Sequence, residues 1–129
     1  MKYSELTRRY FEHSAHAGVL SGPGVSRGSA GDREHGAWVQ FAVQARSGAI
    51  QDVRFLAFAC PHTIAVSAWL AENSVGSAVK PAMIESVQAL QERFAVPVYK
   101  LGRLIIVEDA WLAAMAAAID SAGERPHVW

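Results

Sequence analysis

The feature that most constrains this chain is a change of hydrophobic period at residue 60. Before it, apolar residues recur every second position; after it, every third or fourth. "WVQFAVQ" sets Val39, Phe41 and Val43 on one side and Gln40 and Gln44 on the other, the alternation of a half-buried strand. "RSGA" supplies a turn, and "IQDVRFLAFA" returns as a second strand that becomes apolar on both faces toward its end. The pattern predicts a hairpin of strands 38–44 and 49–59.

Helical spacing follows. Ile64, Ala68, Ala71 and Val75 fall on one stripe. Pro81 suits the first position of a further helix lined by Ile84, Val87 and Phe94, and "VPVYK" (96–100) breaks it. Leu104, Val107, Trp111, Ala114 and Ala118 predict a last helix over 103–120, ended by "SAG". Upstream, "YSELTRRYFEH" (3–13) offers Ser4 as an N-cap with Tyr3, Leu6 and Tyr10 along one face. Residues 14–36 are small and polar and read as a loop-rich passage. Helix, strands, then helices predict an α+β fold, a small antiparallel sheet with the helices packed on one face. One domain over 1–124 is expected, with a tail, 125–129, that fits no period and is expected to fray.

Composition narrows the function classes. Twelve basic residues balance twelve acidic ones, so no basic surface for nucleic acid is expected. The most apolar run, "AWLAAMAAAI" (110–119), is too short to span a bilayer, and "MKYSELTRRY" has no apolar signal core. The default location is cytoplasmic. No Ser-His-Asp or paired-carboxylate pattern stands out, so the chain does not read as an enzyme. A lone cysteine excludes a disulfide, or a metal site of several cysteines, within one chain.

That cysteine, Cys60, lies at the change of period, followed by Pro61 and His62. Proline fits the first helical position, which makes Cys60 the N-cap, its sulfur beside unpaired backbone N–H groups that favour thiolate. Free cysteine is also among the most buried residue types. Spacing leaves both readings open.

The chain resembles the IscU/NifU-type iron–sulfur cluster scaffold proteins over nearly its whole length. "YSE" (3–5) and "YFEH" (10–13) are similar to the family's opening helix, and "VQFAVQARSGAIQDVRF" (39–55) to its hairpin. "FACPHTIAVSAWLAE" (58–72) resembles YGCGSAIASSSLVTE, which sets Cys60 on the family's central ligand cysteine. "VPVYK" falls on the LPPVK chaperone-recognition stretch, with Val98 at its second proline and Tyr99 at its valine. "RLIIVEDAWLAAMAAAI" (103–119) follows the closing helix, matched at Glu108, Asp109 and Ala110. The resemblance implies an α+β scaffold that holds a [2Fe–2S] cluster, or a zinc or iron ion, on three cysteines and an Asp or His. It also implies a cysteine desulfurase and an assembly chaperone as partners, and allows a homodimer.

Two of the three thiolates are replaced. Aligned back from the hairpin, Arg33 stands at the first cysteine and His35 at the aspartate; aligned on "GSAGD", Asp32 is that aspartate. Arg103 stands at the third cysteine and Gly102 at the histidine before it. The ordinary set cannot form within one chain, and a stable [2Fe–2S] cluster on one chain is not expected. Three readings follow. The chain is a diverged assembly protein that keeps Cys60 as a sulfur acceptor, its thiolate stabilised by Arg33 and Arg103. Or the site is rebuilt for zinc or iron from Cys60, His62, His35 and Asp32. Or the fold is a protein-interaction module and Cys60 is inert.

Overall fold

The computed structural model describes residues 3–123; the tail expected to fray lies outside them. Helix α1 (Glu5–Glu12) leads to strands β1 (Val25–Asp32), β2 (Ala37–Arg46) and β3 (Ala49–Phe58). Helices α2 (Pro61–Ser74), α3 (Val87–Phe94) and α4 (Leu101–Gly123) follow. The strands form one antiparallel sheet in the order β1-β2-β3. Helix α4 packs on β1 and β2, α2 on β3, and α1 on α2. This is the expected α+β architecture with helices on one face.

The hairpin forms as its pattern predicts. Val39, Phe41 and Val43 are fully buried, and the chain reverses through Ser47 (φ 54°) and Gly48 (φ 77°). Two central residues at positive φ match the turn to the right-handed twist of the strands. On β2, Phe41 meets Trp111 of α4 edge to face, ring centres 5.1 Å apart. Ser4 caps α1 by accepting from the Thr7 N–H at 3.1 Å. Its hydroxyl and that of Thr7 both reach the Phe94 carbonyl, which ties α1 to the end of α3.

Three expectations are corrected. Residues 25–32, read as loop, form strand β1. This strand is built for close approach: a Cβ on Gly28 would lie 2.0 Å from the Ala114 nitrogen of α4. The small residues that admit the helix also erase the β-branched alternation by which strands are read. Second, Pro81 does not start a helix; α3 begins at Val87, capped by the Ser86 hydroxyl, which accepts from the Ala89 N–H at 3.1 Å. The segment before it is held over α4 by the Trp111 indole, which donates to the Ala82 carbonyl at 3.1 Å. Third, Val75 lies past the end of α2 and is exposed. Helix α2 is buried on most of its circumference, with Ser67 satisfied by the Thr63 carbonyl at 2.8 Å.

Candidate functional site

Cys60 follows the end of β3 and is the N-cap of α2, with Pro61 at the first helical position. Its carbonyl accepts from the Ile64 N–H at 3.1 Å, and the sulfur lies 3.4 Å from the Thr63 hydroxyl. The thiol is half-buried. Burial pushes it up, but the Thr63 hydroxyl and backbone N–H and the charges of Lys100 and Arg103 outweigh that. The net result holds the thiol below its ordinary range. The Thr63 N–H acts without a full capping hydrogen bond to the sulfur.

The two cations come from the entry to α4. Lys100 closes the 3₁₀ turn Val98–Lys100, and Arg103 lies in the first turn of the helix. Three positions apart at a helix start, they share a face. Arg103 donates to the Gly36 carbonyl at 3.3 Å, which draws the β1–β2 connection to the same corner. Reading the sequence missed Lys100, which sits in a stretch taken for a helix breaker; its spacing from Arg103 was the available signal.

The other candidates make contacts of their own. Asp32 caps the 3₁₀ turn Arg33–His35, accepting from the Glu34 N–H at 2.8 Å. That bond and its contact with His35 Nδ1 at 3.0 Å hold the Asp32 carboxyl below the usual range. Both side chains stand in solvent, His35 at 83% and Asp32 at 51% exposure. The Arg33 guanidinium lies 4.5 Å from the centre of the Trp38 ring, a cation–π contact. His62 is turned into the protein at 2% exposure, edge-on to Tyr3, its Nδ1 3.4 Å from Lys100 Nζ. Among the described residues no three His, Cys, Asp or Glu side chains converge on a point that could hold a metal ion. Cys60, His62, His35 and Asp32 are therefore not brought together as one set.

This donor set does not fit the cluster or ion that the resemblance implies. A [2Fe–2S] centre is held chiefly by thiolates, and zinc by four N, S or O donors. The corner offers one sulfur, with the charges of Lys100 and Arg103 bearing on it. What it can do chemically is hold an anionic sulfur in a partly dry, positive environment.

A profile described as "NifU-like N terminal domain" matches residues 2–120. No curated protein sequence matches the chain. Among solved structures, a nitrogen-fixing NifU-like N-terminal protein from Brucella abortus superposes with a TM-score of 0.72 at 16% identity, over 91% of this chain and 94% of that one. A protein described as an iron–sulfur cluster assembly scaffold for the SUF system, from Fervidobacterium islandicum AW-1, gives 0.66 at 16% identity. It covers 88% of this chain and 96% of the other. At that identity the likeness is one of fold. No described helix is long and apolar enough to cross a membrane.

Proposed function

This chain belongs to the NifU-like N-terminal domain family, and we propose that it serves iron–sulfur cluster assembly as an accessory protein that accepts sulfur on Cys60. The family is one of scaffolds, and the chain is not an enzyme. The observation that carries the reading is the Cys60 corner: a half-buried N-cap thiol lowered by Thr63, Lys100 and Arg103, with no further thiolate beside it.

The chemistry follows from these groups. The Cys60 thiolate attacks the outer sulfur of a donor persulfide, such as that of a cysteine desulfurase. A sulfur–sulfur bond forms at Cys60 as the donor's breaks, and the donor leaves as its thiolate. One sulfur atom moves, with no net gain or loss of electrons. Lys100 and Arg103 stabilise first the thiolate and then the persulfide anion.

Anaerobic incubation with a cysteine desulfurase and free cysteine, followed by intact-mass measurement, tests this. The expected product carries one added sulfur atom per chain, removed by a reducing thiol and absent from Cys60→Ser. An unmodified chain, in a mixture that loads an ordinary scaffold, overturns the reading.

A further inference from the structure

Each cation at the Cys60 corner is held from a different side. Arg103 is tied to the Gly36 carbonyl. Lys100 lies in a turn whose neighbours Val98 and Tyr99 are 74% and 75% exposed, yet its ammonium reaches inward. There it lies 3.4 Å from Nδ1 of His62 and 5.8 Å from the centre of the Tyr3 ring. The two rings meet edge to face, centres 4.6 Å apart.

We infer that His62 and Tyr3 form a cradle for the Lys100 ammonium, and that His62 is a positioning residue for the reactive sulfur of Cys60. The inference rests on the reading of Cys60 as a sulfur acceptor and assigns His62 a role other than metal ligand. An ammonium has donors and no lone pair, so Nδ1 must be the acceptor and the ring proton sits on Nε2. That fixes the neutral tautomer. Burial, and then the Lys100 charge, push the imidazole down from its ordinary value, which keeps it neutral and acceptor-competent. Lysine is a point charge on a flexible stem, and a buried acceptor narrows the positions its head takes. The Tyr3 ring adds a cation–π contact on a second side.

The geometry explains why His62 stands two residues after the cysteine. Cys60 is the N-cap of α2 and His62 the second residue of the helix. Both project from the first turn of α2, and one lysine acts on both. Arg103, whose charge also bears on the thiol, is anchored separately by the Gly36 carbonyl.

The test measures the rate at which iodoacetamide alkylates Cys60 at neutral pH in the full chain, with the His62 ring nitrogens followed by NMR. His62→Phe keeps a ring in the pocket without the acceptor. It should slow alkylation about three- to tenfold, a shift of up to one pKa unit, as should Lys100→Met. His62→Gln, which retains an acceptor, should restore most of the rate. Adding Lys100→Met to His62→Phe should produce little further slowing, because the two act through one contact. In the unsubstituted chain the ring should carry its proton on Nε2, and Lys100→Met, a change on an exposed turn, should shift the Nδ1 resonance. This second measurement decides the matter if His62→Phe does not fold. A proton on Nδ1, or a His62→Phe rate equal to that of the unsubstituted chain, overturns the inference. Alkylation that responds as predicted in a chain that takes up no sulfur overturns the acceptor reading and leaves the cradle standing.

Discussion

Midway along the edge strand β1, Gly28 lets the backbone of α4 approach until any Cβ there would overlap the Ala114 nitrogen. At the sheet's end, half-buried Cys60 lies within the influence of the Lys100 and Arg103 charges. The seam is made of backbone against backbone, and no neighbour can yield without moving a whole helix. The corner is made of end groups carried on a helix start, a 3₁₀ turn and a strand connection. Exchanging a thiolate for a guanidinium there changes charge and reach but displaces nothing in the core. A fold of this kind keeps its packing while the groups at its corner are free to vary: packing constrains the seam, and only chemistry constrains the corner.

The comparison is broken most directly at Gly28. Gly28→Val should leave little folded protein, and Gly28→Ala should cost about 3 kcal/mol, the upper range for overpacking; Arg103→Ala should cost less than about 1 kcal/mol. Urea unfolding of the three variants checks this, and a similar cost at both places contradicts it. Next in size, Arg103→Cys adds a second sulfur at the corner and should tighten zinc binding at least about tenfold, roughly 1.4 kcal/mol. Competition against a zinc chelator measures it, and unchanged affinity means the corner does not converge as described. Smaller still, Ser4→Ala removes the α1 cap and a bond to the Phe94 carbonyl. It should cost about 1 kcal/mol in thermal unfolding, without changing the alkylation rate of Cys60.

The smallest effect is a pH dependence. Burial, and then the Lys100 charge, hold folded His62 below its ordinary value. As pH falls through about 6.5, the unfolded chain takes up a proton that the folded chain refuses, so stability falls with pH down to the folded value. His62→Gln should flatten that part of the stability profile. An unchanged slope shows that the imidazole is not held neutral.

How much of this was legible in the sequence divides along the same line. The hairpin and α4 could be read because Val39, Phe41 and Val43, and Leu104, Val107 and Trp111, mark buried faces by regular spacing. Strand β1 could not, because what defines it is room for α4 at Gly28, and absence of a side chain leaves no period. The cap at Cys60 was legible from Pro61. His62 was identified by its place after Cys60, and Arg33, His35 and Asp32 by alignment with the family's loop, but their direction depends on tertiary neighbours: Tyr3 and Lys100 meet His62, and Trp38 meets Arg33. Adjacency in sequence to a cysteine says nothing of which way an imidazole turns.

The central claim is that cations at this corner hold one anionic sulfur in place of thiolates that hold a metal. Iron, zinc, acid-labile sulfide and sulfane sulfur, all quantified on protein purified anaerobically with and without Cys60, test it most directly. The account predicts sulfane sulfur that depends on Cys60, with iron and zinc far below one per chain and unchanged in Cys60→Ser. A persistent iron–sulfide complement near one to one that disappears with Cys60, whether on one chain or bridged between two, would contradict it.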